Sequence, residues 1–172
     1  MIELMTVANH PLIVKKTCWA DEKATMAFAQ TLAQHRAIVT ALITLHGELG
    51  AGKTTFARHL LHALGVTGRV KSPTYAVVEA YTVEKPAAGA AALSVWHCDF
   101  YRFSAPDEWE DAGFRDIFAS PGLKLVEWPD KAGRYLPQAD LSIAIESLAD
   151  QTRQVTVSAF TPAGLALAQS LT

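Results

Sequence analysis

The eight residues Gly47-Glu48-Leu49-Gly50-Ala51-Gly52-Lys53-Thr54 constrain this chain more than any other stretch. They meet the spacing G-x-x-x-x-G-K-[ST], in which glycines let the backbone fold several N–H groups into one concave nest. A helix beginning near Lys53 adds the positive end of its dipole. With glycine near 7% of residues, chance supplies the four fixed positions in roughly one chain of this size in a hundred. The flanks fit the motif. Ala37–Leu45 is an apolar, partly β-branched run that reads as a buried strand. Phe56, Leu60 and Leu64 follow at helical spacing, and Gly65 stands where a helix is capped. Strand, glycine loop and helix together predict a phosphate-binding site, with Lys53 reaching the terminal phosphates and the Thr54 hydroxyl available to Mg²⁺.

The rest of the 172 residues bounds what such a site serves. This length suits one domain, read here over residues 1–172. No apolar run is long enough to span a bilayer, and the start Met1-Ile2-Glu3-Leu4-Met5 lacks the basic and apolar regions of a signal peptide. Cys18 and Cys98 form no spaced cluster, so neither a cysteine metal site nor a disulfide framework is indicated. A cytoplasmic, reduced setting is expected. The net charge of −2, with no long Lys/Arg run, argues against the chain gripping nucleic acid by itself.

Along the chain, Leu12-Ile13-Val14 reads as a short strand, and Asp21 as the N-cap of a helix reaching Gln34. Ser72-Pro73-Thr74 is a hydroxyl-bearing loop entering a strand over 76–81. Residues 83–92 are an alanine-rich surface loop. Strands are expected at 93–98, 123–126, 141–146 and 153–160. A helix is expected at 106–111 with Ser104 as its cap, and Thr161-Pro162 opens a last helix. Strands interleaved with helices around one phosphate loop predict a three-layer α/β domain with a central mixed, mostly parallel sheet.

Nucleotide hydrolysis needs a carboxylate at the end of a neighbouring strand to assist with the metal, and a group that positions water. Asp99 and Glu127 both end predicted strands, and spacing does not choose between them. Ser72, Pro73 and Thr74 read as either a plain turn or, the sharper reading, a loop that senses the terminal phosphate. His97 reads as a packed strand histidine more readily than as a ligand, and Trp128 as either core or a border of the nucleotide. Asp107, Glu108, Glu110 and Asp111 read as a solvated helix start. Arg102, Arg115, Arg134 and Arg153 default to the surface.

With these residues in view, the chain resembles the bacterial TsaE (YjeE) family, small ATPases of tRNA threonylcarbamoyladenosine synthesis. The resemblance rests on Gly47 to Phe56, on Lys71-Ser72-Pro73-Thr74-Tyr75, on His97-Cys98-Asp99-Phe100-Tyr101-Arg102, and on Val126-Glu127-Trp128-Pro129. The alanine-rich 83–92 loop departs from the family pattern without touching a motif. The resemblance implies a weak ATPase that uses ATP and Mg²⁺ and acts with partner proteins TsaB and TsaD, which hold the tRNA. It implies a phosphate cradle of Glu48, Leu49, Gly50, Ala51, Gly52, Lys53, Thr54 and Thr55. Thr54 and Glu127 would hold Mg²⁺, Asp99 would support catalysis, and Ser72-Pro73-Thr74 would be the switch. Trp128 would lie near the nucleotide, Glu22 and Thr25 would border the adenine, and Arg153 would contact phosphate or ribose. Two other functions share such a loop. A small-molecule kinase needs a second pocket and usually an arginine-bearing lid, and no such lid is evident; a nucleotide-gated binding module senses ATP without hydrolysing it.

Overall fold

The computed structural model describes residues 10–89 and 91–171. The N-terminal Met1–Met5 segment and Ala90 of the alanine-rich loop lie outside the described residues. Seven strands form one sheet: β1 (Ile13–Trp19), β2 (Leu42–His46), β3 (Val78–Val83), β4 (Leu93–Asp99), β5 (Leu123–Glu127), β6 (Leu141–Ser147) and β7 (Arg153–Ala159). Their spatial order is β1-β7-β6-β2-β5-β4-β3. The centre, β6-β2-β5-β4, is parallel, while β1, β7 and β3 join antiparallel. The phosphate-loop strand β2 therefore lies in the middle, with β5 and β6 as neighbours.

Side chains alternate across the sheet with the period of two that a strand imposes. Ile43 and Leu45 of β2 enter one core with Leu125, Ile143 and Val155, beneath helices α1 (Glu22–Gln34), α2 (Lys53–Leu64) and α5 (Pro162–Ser170). Leu42 enters a second core with Val126, Cys98 and Phe100, beneath the short helices α3 (Glu108–Asp111) and α4 (Phe114–Ala119). Two faces covered by helices give the expected three layers. Each fully buried Leu or Phe contributes about 1.5–3 kcal/mol, so these cores dominate the stabilisation.

The helix ends follow their local chemistry. The Asp21 carboxylate accepts the Ala24 amide at 2.9 Å, which starts α1 where the cap predicts. Gly65 takes φ +117, and the Val66 amide returns to the Leu61 carbonyl at 3.0 Å, which closes α2. The Thr161 hydroxyl accepts the Gly164 amide at 3.1 Å, with Pro162 in the first turn of α5.

Four local expectations are corrected. The run 37–45 is not one strand: Arg36–Thr40 forms a 3-10 turn, capped by the His35 ring on the Ala37 amide, and the strand begins at Leu42. An apolar run carries no mark of that change, because both halves are buried. β1 extends well beyond Leu12-Ile13-Val14 through Lys15-Lys16-Thr17-Cys18; it is an edge strand with one face in solvent, where lysines are favoured. β3 begins at Val78 because Val77 sits in the left-handed region, φ +69, and β3 continues to Val83, inside the stretch read as loop. Ser104 does not cap α3; the Glu108 carboxylate instead accepts the Ser104 and Ala105 amides at 2.6 and 2.9 Å. Helix α4 falls in a stretch for which the sequence predicts no element. Among the described residues, no helix is long and apolar enough to cross a membrane.

Candidate functional site

The loop after β2 turns back on itself through three glycines at positive φ: Gly47 (+146), Gly50 (+80) and Gly52 (+113). At Gly47 the requirement is also steric, since a Cβ would lie 2.4 Å from the Ile145 carbonyl oxygen. The loop closes through Ala51 N–H donating to the Glu48 carbonyl at 3.0 Å. Gly52 then caps α2, whose first-turn amides have no carbonyl ahead of them and face the concave side.

Lys53 is buried at the base of this nest. Its ammonium donates to the carbonyls of Gly47 and Glu48 at 2.6 and 2.8 Å and lies 4.4 Å from the Trp128 ring centroid. Burial pushes the Lys53 pKa below its ordinary value, and the charges of Glu127, Asp99 and Glu48 pull it back up.

The two strand-end acids face this lysine. Asp99 and Glu127 are direct partners across β4 and β5, so both carboxylates leave the same row of the sheet. Glu127 is 2% exposed, and its oxygens lie 3.0 and 2.9 Å from the Thr54 hydroxyl. Asp99 is equally buried, and its Oδ2 accepts the Thr74 hydroxyl at 2.8 Å, with Ser72 2.7 Å further on. Its Oδ1 accepts the Tyr101 amide at 2.9 Å. Burial raises the Asp99 pKa; the Tyr101 and Thr74 hydrogen bonds oppose the shift, the Glu127 charge adds to it and His97 opposes it. Two hydroxyls thus link the Ser72-Pro73-Thr74 loop to Asp99, while Pro73 itself is buried and passes its carbonyl to Val77 N–H at 2.6 Å.

Two cavities meet along the loop. The first, about 280 Å³, is lined by Leu49, Lys53, Thr54, Thr74, Asp99, Glu127 and Trp128, among others. The second, about 170 Å³, is lined by Trp19, Glu22, Thr25, Thr55, Gln151 and Arg153, among others. Gly52 and Thr55 border both, so one elongated ligand can occupy them together with the loop at its middle. Arg153 donates through Nε to the Ala51 carbonyl at 2.9 Å, which ties β7 to the loop. Glu22 lies 2.9 Å from the His59 ring, and Thr25 is buried in the first turns of α1.

The structure thus gathers the sequence-predicted site residues around the two cavities, except that Glu48 and Pro73 line neither: the Glu48 carbonyl accepts from Lys53 and Ala51, and the Pro73 carbonyl from Val77. Arg102 stacks on Tyr75 at 3.9 Å. Sequence reasoning missed Trp19, Tyr101 and Gln151, which line the cavities, and favoured packing over a ligand role for His97. His97 is fully buried with Nε2 2.8 Å from Glu127 Oε1. Its position two residues before Asp99 was the one available signal.

The chemistry of the donors suits a small, hard cation. Thr54, Glu127 and Asp99 offer oxygen only, the preference of magnesium, which takes few protein ligands and completes its shell with phosphate and water. Among the described residues there is no cluster of three or more His, Cys, Asp and Glu of the kind that holds a metal unaided.

Comparison with known proteins agrees with this geometry. The family model described as threonylcarbamoyl adenosine biosynthesis protein TsaE matches residues 19–155. A TsaE from Haemophilus influenzae is 37% identical over 137 residues, which is 80% of this chain and 82% of the relative. A TsaE from Bacillus subtilis is 38% identical over 118 residues, 69% of each chain. The crystal structure of Bacillus subtilis YdiB superposes with a TM-score of 0.70 at 29% identity, covering 92% of this chain and 95% of that one. A nucleotide-type phosphate loop in a mixed α/β sheet, and a family match over most of its length, make this chain a member of the TsaE family of tRNA threonylcarbamoyladenosine biosynthesis proteins.

Proposed function

We propose that this chain is a single-domain ATPase that binds ATP with Mg²⁺ and hydrolyses it slowly. Its turnover would serve an assembly with TsaB and TsaD that places a threonylcarbamoyl group on the adenosine next to the tRNA anticodon. The observation that carries the reading is the convergence of Lys53, Thr54, Asp99 and Glu127 on one cavity at the mouth of the phosphate loop.

Each side chain has a distinct task. The loop and first-turn amides of α2 bind phosphate oxygens. Lys53 exchanges two neutral carbonyl partners for charged phosphate, a stronger acceptor, and neutralises charge as the terminal phosphoryl leaves. Thr54 and Glu127 hold the magnesium, which supplies further charge neutralisation on the phosphate oxygens when bound. Asp99, held by Tyr101 and Thr74, accepts a hydrogen bond from the attacking water and orients it. The hydroxyls of Ser72 and Thr74 feel the state of that site through Asp99. Glu22, Thr25 and Arg153 border the smaller cavity, which suits the nucleoside end, and Trp128 borders the phosphate end.

No arginine among the described residues lines the larger cavity, so intrinsic hydrolysis is slow and accelerates when partners dock. The net charge of −2 agrees with partners, rather than this chain, holding the tRNA. Lys53→Ala abolishes phosphate release from ATP in the presence of the partner proteins; retention of the parent rate in that variant would refute the assignment.

A further inference from the structure

We propose that His97 is a positioning residue that aims the Glu127 carboxylate at the magnesium ion. This rests on the reading of Glu127 as a ligand. His97 lies on β4 one row behind the Asp99–Glu127 pair, opposite Leu125, and is 0% exposed. Its Nε2 sits 2.8 Å from Glu127 Oε1. An ionised carboxylate only accepts hydrogen bonds, so Nε2 carries the hydrogen and donates. Nδ1 has no hydrogen-bond partner among the described residues.

Two features argue that this bond serves the carboxylate and not packing. A residue that only filled space here would do so at less cost as leucine, with no unmet nitrogen. Among the described residues, the other side-chain donor to the Glu127 carboxylate is the Thr54 hydroxyl, which has one hydrogen and serves both oxygens. Thr54 is itself a ligand in the proposed site, and a hydroxyl that turns its oxygen to a cation holds the carboxylate less well. His97 then remains the fixed donor, on a rigid central strand, that keeps Glu127 from rotating away. Hydrogen bonds of this kind behind a ligand typically change metal affinity about 10–100-fold.

The test is calorimetric titration of the full chain with a non-hydrolysable ATP analogue, with magnesium and again with chelator. The ratio of the two affinities isolates the metal. His97→Leu lowers that ratio about ten-fold or more and leaves metal-free affinity unchanged. His97→Gln, whose amide reaches Glu127, restores the ratio, whereas His97→Asn, which is too short, behaves as His97→Leu. An unchanged ratio in His97→Leu overturns the proposal, as does an equal loss with and without magnesium. If His97→Leu does not fold, the Gln and Asn variants decide it: equal ratios in those two overturn it. Glu127→Gln, titrated alongside, separates the two levels. A parental ratio there refutes the ligand assignment, while a lost ratio there with a parental one in His97→Leu refutes only the positioning role.

Discussion

The Thr54 hydroxyl lies 3.0 Å from one oxygen of Glu127 and 2.9 Å from the other, joining residues 73 positions apart through a single shared hydrogen. This contact binds the first turn of α2 to the end of β5. Thr54→Val keeps the shape and removes the donor, leaving the buried carboxylate with fewer partners. The expected loss is about 1–3 kcal/mol of unfolding free energy in the metal-free protein, and Thr54→Ser recovers most of it. Urea denaturation checks this, and an unchanged midpoint in Thr54→Val would show the contact to be energetically idle.

Lys53 rests on Trp128, which is itself held over the site by a left-handed backbone at φ +56. Such a pair is worth about 0.5–2 kcal/mol. Nucleotide phosphate draws the ammonium off the ring, so indole emission changes on adding ATP. Trp128→Phe removes most of that change, although Trp19, Trp96 and Trp109 remain. A fluorescence titration with undiminished amplitude in Trp128→Phe contradicts the exchange.

Phe56, fully buried on α2, stacks on Trp19 at 5.6 Å and meets Phe28 edge-on at 5.9 Å. Trp19 in turn lines the smaller cavity. Phe56→Ala should cost about 3–5 kcal/mol in stability. Phe56→Leu, which fills more of the space, should fold but bind ATP more weakly as Trp19 loses its support. Chemical denaturation and nucleotide titration measure the two effects, and parental binding in Phe56→Leu disproves the second.

His46, the last residue of β2, is held below its ordinary pKa by burial and by the Lys53 charge, against the opposing pull of Asp130 at 3.7 Å. The unfolded chain therefore takes up this proton more readily than the folded one. The contribution to stability is complete above about pH 6.5, the unfolded value, and is lost as the pH falls through the lower folded value. His46→Gln has no proton to take up, so its denaturation midpoint declines less steeply below pH 6.5 than the parent's. Parallel pH profiles for the two proteins exclude His46 as the source.

The phosphate loop, α1, α2 and α5 with their caps, and the strands leading to Asp99 and Glu127 are all legible in the order of residues. Their signals are local: glycine at positive φ, an acid or hydroxyl three residues before a free amide, apolar positions at a fixed period. The break within the 37–45 run, the length of β1 and the role of His97 are not legible. Ile38 and Ile43 are equally buried in a 3-10 turn and a strand, Lys15 and Lys16 are stranded only because β7 pairs with them, and His97 has the look of any packed ring until Glu127 stands beside it.

Local sequence determined that an anion-binding nest precedes a helix, because glycine conformation and helix dipole depend on adjacent residues alone. Tertiary structure decided how the acids are shared out, with Glu127 paired to Thr54 and His97, and Asp99 to Thr74 and Tyr101. That division follows from strand order and register: β5 lies between β2 and β4, which sets Glu127 next to the loop and Asp99 one strand further out. Pairing between strands tens of residues apart is a property of the assembled sheet, and no spacing along the chain records it.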